Sequence, residues 1–501
     1  MRGWRAAVAC AASMALATQA YASTLIVNAR IVDGTGAPAR SGAVRIDGER
    51  IVAVGALTPA GGEAVVDAKG LVLAPGFIDT HSHHDWGIAV RPDAPTVVSQ
   101  GITTIVVGQD GSSQFPIGKL WDTLSAKPVA VNVASYSGHN TLRAQVMGED
   151  YKRVARPGEV EAMRGLLASD MDDGALGLSS GLEYDPGIYS AREEVLTLAR
   201  ESARHGGRYI SHIRSEDQQL WAALDEIIEI GRQTGQPVQV SHMKLAMTDW
   251  WGQAARFTGK LDAARAQGVR ITGDVYPYEY WQSSLTVMFP KRDFDNQASA
   301  EFAVTSLSTP EGMIISAYDA EPALVGQTLA QISKARGTDP AETLMDLIRV
   351  SEAKKAEAGL IATSMRGDDL AHLIAWDGSN ICSDGEMAGR HPRGAGAFTK
   401  VLRVYVREQK LLTLEQAVRK MTGAAAEHMG FADRGLIRPG ARADLVLFDP
   451  ATVSDRSTIA DPLALSVGIE RVWVNGQVVW EGGATTAARP GRAIKREVAV
   501  R

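Results

Sequence analysis

The chain has 501 residues, 45% of them apolar and 22% charged, with a formal net charge of −6 at pH 7. That composition excludes a disordered or low-complexity protein, and the length accommodates one large domain plus a smaller one. With no Lys/Arg-rich stripe or tail, a nucleic-acid partner is not expected.

Arg2 and Arg5 precede the apolar run Ala6 to Ala17, and Ala20-Tyr21-Ala22 follows as a small-x-small signal. This pattern predicts a secretory signal peptide over 1–22, matured before Ser23. The run is too short to span a bilayer, so the expectation is a periplasmic or secreted protein with no membrane anchor. Cys10 and Cys382 are the two cysteines, so the mature chain would keep one and form no internal disulfide.

Alternating strands follow, at Thr24 to Val32, Ala43 to Ile46 and Arg50 to Val54, with Asp47-Gly48 as a turn. Similar strands recur at Ala443 to Phe448 and Val472 to Trp480. The economical arrangement is a small β-sandwich domain built from both chain ends, residues 23–73 and 432–501, with another domain inserted between them.

In 74–431, buried β-type runs alternate with helical patterns such as Arg192–His205 and Leu220–Thr234, which argues for a parallel α/β (β/α)8 TIM barrel. Its eight strands centre on Phe77–Thr80, Thr104–Val107, Val129–Ala134, Ala175–Ser179, Tyr209–Ser211, Val238–Ser241, Arg270–Asp274 and Asn380–Ser383. The long gap before the last strand predicts an insertion near 285–370 that carries helices and folds over the barrel mouth.

Strand one ends at His81-Ser82-His83, strand five at His212, strand six at His242 and strand eight at Asp384. Loops at the carboxyl face of such a barrel converge on one point, where active sites form. Extended backbone alternates its side chains, so His81 and His83 face the same way and can chelate one ion. Imidazole suits zinc and similar divalent metals, and a carboxylate completes the set while leaving a position for water. A lone barrel histidine is usually structural; four of them with an aspartate, all at strand ends, point to a metal site. His84, His205, His372 and His428 read as structural.

His81-Ser82-His83 within Pro75-Gly76-Phe77-Ile78-Asp79-Thr80-His81 resembles the opening motif of the amidohydrolase superfamily. Gly138-His139-Asn140-Thr141-Leu142-Arg143 with Val146-Met147-Gly148, Gly174 to Tyr184 with Pro186-Gly187, and Ser241-His242-Met243-Lys244 are similar to its D-aminoacylase branch. So are Asp274-Val275-Tyr276-Pro277-Tyr278, His391-Pro392-Arg393 with Gly396-Ala397-Phe398, Asp433-Arg434-Gly435 and Ala443-Asp444-Leu445-Val446. The resemblance covers nearly the whole mature chain. It implies a zinc-dependent N-acyl-D-amino-acid deacylase holding one or two ions, or another divalent metal.

One segment departs from that branch, which usually has Gly-Asn-Cys-Gly after strand two, its cysteine binding zinc. Here the segment is Gly108-Gln109-Asp110-Gly111. Asp110 would replace the thiolate with a harder oxygen ligand, or Glu183 past strand four would bridge two metals. Strand four has no lysine to carboxylate, and Glu183 is favoured slightly over Asp110. The plain alternatives are a turn aspartate and a loop charge.

The resemblance assigns Asp384 the transfer of a proton from water to the leaving nitrogen, and its place after strand eight agrees. It also carries Lys244 and Arg393 over as cations for the substrate α-carboxylate, with Tyr184 and Tyr276 as hydroxyl donors. Glu279 to Ser284 is bulkier than the branch's pattern, so Tyr280 and Trp281 either reshape the pocket or pack beneath the insertion. A dipeptidase or cyclic-amide hydrolase on the same metal site is the second enzyme reading. The third is a non-catalytic exported binding protein, against which the intact ligand set argues.

Overall fold

The computed structural model describes residues 23–496; the signal peptide expected over 1–22 lies outside them. Among the described residues, no helix is long and apolar enough to cross a membrane.

Eight short parallel strands carry the molecule: β1 (Phe77–Asp79), β2 (Ile102–Val107), β3 (Asn132–Ser135, resuming at Ser137–Gly138), β4 (Gly177–Gly181), β5 (Arg208–His212), β6 (Val238–Val240), β7 (Ile271–Val275) and β8 (Ser379–Ile381). They pair in two arcs, β1 to β3 and β3 to β8. Backbone hydrogen bonds span the remaining seam, from Asp384 N to His81 O and from His83 N to Gly385 O, both 2.8 Å, closing the ring. The helices expected after β4 and β5 form at Arg192–Arg204 and Leu220–Thr234. The second stops where Gly235 turns left-handed at φ 66°.

β3 begins three residues later than its apolar run suggested. Val129 to Val133 bond instead to the C-terminal tail, Gly491 N to Val129 O at 2.8 Å and Val133 N to Arg492 O at 2.9 Å. The tail thus takes one edge of this segment, and β4 pairs with the strand only at Ser137–Gly138.

The strands from both chain ends form one hydrogen-bonded sheet of nine. Val72–Pro75 joins the halves, pairing with Leu445–Phe448 on one side and with Thr24–Ile31 on the other. That strand runs two residues past the boundary expected at 73. Its neighbours show the period of two: Leu73, Leu445, Leu447 and Trp473 pack in the sheet's own core. Val72, Ala74, Val446, Phe448, Val472 and Val474 pack against the barrel with Phe77.

The insertion spans 280–363. Tyr280–Ser284, Ala358–Thr363 and Met313–Tyr318 form an antiparallel sheet, covered by Gln297–Phe302, Leu329–Arg336 and Pro340–Lys354. It has its own apolar core, including Leu285, Met288, Ile315, Leu344 and Leu360. Tyr280–Ser284 is thus the insertion's first strand, so the segment starts earlier than its helices implied.

Candidate metal centre and active site

The carboxyl ends of the barrel strands bring the expected ligands together. After β1, His81 and His83 place Nε2 3.5 and 3.3 Å from Asp384 Oδ1, which follows β8. After β2, Asp110 brings Oδ2 to 3.5 Å from His81 Nε2, 3.4 Å from His83 Nε2 and 3.4 Å from His242 Nε2. His212 ends β5 and His242 follows β6; Nδ1 of the first lies 3.1 Å from Nε2 of the second. Three donor groups result, His81–His83–Asp110–Asp384, Asp110–His212–His242 and Glu183–His212–Glu216; Asp110 belongs to the first two and His212 to the last two.

Glu183 occupies the flank. Its Oε2 is 2.8 Å from His212 Nε2, and its Oε1 accepts Glu216 N at 2.6 Å. Both carboxylates expected as the shared ligand thus face the histidines, Asp110 through two donor groups and Glu183 through one. The loop after β4 delivers Glu183 to the outer nitrogen of His212, while Asp110 sits between the two histidine pairs.

Both ring nitrogens of His81 and the Oδ1 of Asp110 are buried without a hydrogen-bond partner. Leaving a buried polar group unpaired costs about 1–3 kcal/mol, and a divalent cation among these imidazoles and carboxylates would satisfy His81 Nε2 and Asp110, while His81 Nδ1 faces Asp274. The residues present fit such an ion. Three of them, Asp110, His242 and Asp384, hold left-handed backbone at φ 51°, 31° and 48°. That region costs a non-glycine residue about 1–2 kcal/mol, so the fold spends backbone strain to aim these side chains.

Several groups behind the ligands orient them. Asp274 in β7 accepts His242 N at Oδ1 (2.5 Å) and Gln239 Nε2 at Oδ2 (2.6 Å), and its Oδ2 lies 3.7 Å from His81 Nδ1. Cys382, whose thiol burial pushes up, faces Asp274 Oδ1 at 3.3 Å and belongs to none of the donor groups. Asn140 bridges two loops: its Nδ2 donates to Gly181 O at 3.0 Å, and its Oδ1 is where a Cβ on Gly111 would collide, 2.2 Å away. Glycine next to Asp110 thus permits the close approach of the β2 and β4 loops.

A cavity of about 390 Å3 opens beside the ligands, lined in part by Glu183, Tyr184, His212, His242, Asp384 and Arg393. Tyr276 is fully buried with its hydroxyl unpartnered, and its ring lies 4.8 Å from the Arg393 guanidinium. The Tyr184 ring packs 4.3 Å from that of His212. Burial pushes the Asp384 carboxyl up, but Arg393 and then His83 hold it well below the usual carboxylate range. Lys244 lines the cavity and is also held by its neighbours. Nζ lies 2.8 and 2.9 Å from the Glu216 oxygens and 2.7 Å from His242 Nδ1, so its three donors are already engaged.

Glu216 was not picked out from the sequence. Its one signal is an acidic residue four positions beyond His212, in a segment with no regular pattern. His391, whose signal is the His391-Pro392-Arg393 motif, positions Arg393: Nε2 faces Tyr280 O at 2.9 Å and Nδ1 accepts Arg393 N at 3.0 Å. Of the other histidines, His84 is buried outside the donor groups, His205 pairs with Glu201, His372 bonds Thr258 and His428 bonds Asn380. Trp281 lines the cavity, whereas Tyr280 packs on His391 at 4.8 Å, so the bulky segment does both things expected of it.

Parallel strands with imidazoles and carboxylates gathered at their carboxyl ends define a metal-dependent hydrolase class. The chain belongs to the amidohydrolase family, whose sequence profile matches residues 64–358 and 319–480. It is 36% identical to an N-acyl-D-aspartate deacylase of Alcaligenes xylosoxydans xylosoxydans, over 95% of this chain and 95% of that one. An N-acyl-D-glutamate deacylase of the same organism is 37% identical, over 94% and 96% of the two chains. Among solved structures, D-aminoacylase superposes with a TM-score of 0.85 at 33% identity, covering 94% of this chain and 99% of that one. The N-acyl-D-glutamate deacylase of Bordetella bronchiseptica, complexed with zinc and a phosphonate mimic of the tetrahedral intermediate, gives 0.84 at 36% identity, with coverage of 94% and 99%.

Proposed function

We propose that this chain hydrolyses the amide bond of N-acyl-D-amino acids to a carboxylate and a free D-amino acid, with zinc as its metal. The observation that carries the reading is the pair of donor groups sharing Asp110 beside a cavity that also holds Arg393 and Tyr276. Relatives of like length are deacylases of N-acyl-D-amino acids, and one of them binds zinc with a tetrahedral mimic.

His81, His83, Asp110, His212, His242 and Asp384 would hold the metal, with Glu183 flanking His212. A divalent ion bound there supplies Lewis acidity and lowers the pKa of water toward neutrality. Asp384 takes the proton from the attacking water at its carboxylate and hands it to the amide nitrogen, which leaves poorly unprotonated. Arg393 receives the substrate α-carboxylate through its planar fork. Tyr184 and Tyr276 present hydroxyl groups to the substrate. Lys244 neutralises Glu216 and presses on His242, which makes it a positioning residue. The insertion roofs the cavity with Trp281 and Met288 and excludes water from the reacting bond. Residues 1–22 direct the chain to the periplasm or outside the cell.

The test is amine release from N-acetyl-D-methionine and N-acetyl-L-methionine by metal-stripped and zinc-reloaded enzyme. Zinc-dependent release from the D-form is expected. Release from neither, by protein shown to bind zinc, would refute the reading.

A further inference from the structure

The polar atoms around the centre keep two different spacings. Contacts of Asp110 and Asp384 with His81, His83 and His242 run from 3.3 to 3.5 Å, and His212 Nδ1 lies 3.1 Å from His242 Nε2. Two ligands bonded to one zinc ion at about 2.0–2.1 Å in tetrahedral geometry stand about 3.3–3.4 Å apart. The first spacing is therefore that of groups sharing an ion. Glu183 Oε2 comes closer, 2.8 Å from His212 Nε2. That is the length of a charge-assisted hydrogen bond, about 2.7–2.9 Å, and the other nitrogen of the same ring is the one turned to the centre.

Glu183 is itself held. Its Oε1 accepts Glu216 N at 2.6 Å, while the Glu216 carboxylate takes Lys244 Nζ at 2.8 and 2.9 Å. Glu183, His212 and Glu216 are close enough together to hold a cation. Each of their four carboxylate oxygens already faces a donor, however, and the Lys244 ammonium sets a positive charge beside them. A proton between Glu183 and His212 suits this place better than a further ion.

We infer, resting on the proposed metal centre, that Glu183 is a positioning residue. It accepts the Nε2 proton of His212 and so fixes the ring with Nδ1 presented to the metal; the Glu216 backbone N–H fixes Glu183 in turn. A carboxylate behind a ligand imidazole sets its tautomer and raises its basicity. His242 repeats the arrangement with its nitrogens exchanged: Nε2 faces Asp110 at 3.4 Å and Nδ1 faces Glu216 Oε1 at 3.1 Å. Glu216 thus serves both rings, one through its peptide and one through its side chain.

The test is Glu183→Gln. Glu183 lies on the cavity wall with 25% of its side chain exposed, so the substitution leaves the core untouched. Glutamine offers an oxygen at only one of the two positions that the carboxylate fills. Zinc affinity, measured by chelator competition, should fall about 10–100-fold, with as many ions bound at saturating zinc as in wild type. Unchanged affinity overturns the inference. Loss of a whole ion at saturating zinc also overturns it, by making Glu183 a ligand. NMR of zinc-loaded wild-type protein with isotope-labelled histidine gives a second readout that needs no variant. His212, assigned through the Tyr184 ring 4.3 Å away, should carry a proton on Nε2 and none on Nδ1. The opposite tautomer, or a ring without a proton, overturns the inference. Protein that binds no zinc defeats the metal centre and this inference together. Zinc-bound protein that releases no amine from N-acyl-D-amino acids refutes the deacylase reading alone, and affinity and tautomer still decide the role of Glu183.

Discussion

Arg393 Nη1 stands 2.6 Å from Asp384 Oδ2, while Oδ1 of the same carboxylate faces His83 Nε2 at 3.3 Å. The guanidinium thus holds the proton-transfer carboxylate ionised and aims its other oxygen at the imidazoles. Asp384→Asn preserves the shape and removes the proton acceptor, so kcat should fall by about 10²–10⁴-fold. Metal content measured on the same preparation should remain near wild type; unchanged turnover would remove Asp384 from its role.

Arg393→Met tests the pair from the other side. Arg393 lowers the Asp384 pKa, so its loss raises that pKa, and the ionised form is lost at higher pH on acidification. The acid limb of the kcat/KM profile should move to higher pH, together with a raised KM for the α-carboxylate. A limb that stays in place would show that the ion pair does not set the ionisation of Asp384.

Asp110 belongs to two of the three donor groups and lies between the histidine pairs. Asp110→Ala should lower bound zinc by at least one ion per chain in zinc-loaded protein, measured by mass spectrometry of the metal, with activity falling in step. Glu183→Ala, at the flank, should lower it less. Equal metal loss in the two variants would show that position between the histidine pairs carries no special weight.

Asn140, at the start of the helix after β3, holds the loop of Glu183 and Tyr184 by its bond to Gly181 O and abuts Gly111 beside Asp110. Asn140→Ala removes that bond, leaving Gly181 O with Tyr184 N at 3.3 Å, and should cost about 1 kcal/mol of stability. With the loops loosened, KM should rise more than kcat falls, which is read from steady-state kinetics. A pure stability loss with normal kinetics would mean that Asn140 only packs.

Below the site, Glu194 accepts Arg143 Nη1 at both oxygens (2.7 and 2.6 Å) and lies 2.8 Å from His139 Nε2. Burial raises its pKa, but His139 and Arg143 outweigh it and the net shift is downward. The stability this supplies is therefore present above the ordinary glutamate pKa and is lost as pH falls through the depressed value. Glu194→Gln should cost about 3–5 kcal/mol at pH 7 in denaturant unfolding, since it leaves a buried arginine unpaired. The gap between variant and wild type should narrow on acidification; a constant gap would assign the loss to packing.

Much of this architecture could be read before any coordinates. His81-Ser82-His83, His212, His242 and Asp384 stand at strand ends that hydrophobic periodicity locates to within a residue or two, and a barrel gathers strand ends by construction. What stayed hidden depends on distances between loops. Whether Asp110 or Glu183 lies between the histidines turns on which way the β4 loop leaves the barrel. The engagement of Lys244 by Glu216 joins two loops with no periodic signal. The shortened β3 reflects a partner, the tail at 491–494, that no local pattern around Val129 announces. Tyr280–Ser284 pairs antiparallel with residues 359–363, about as far from it in sequence as a domain is long, and its polar composition gives no strand alternation.

The strand Val72–Pro75 meets its partner Leu445–Phe448 only across the whole barrel sequence. During synthesis at about 5–20 residues per second, the earlier strand would wait on the order of tens of seconds with one edge open. Such an edge is a template for pairing with another nascent chain. A ribosome product cut short before 445 would carry every metal-binding residue and still lack the strand that closes this edge. Expression yield of such truncations should therefore fall through aggregation, well before any chemistry at the metal is touched.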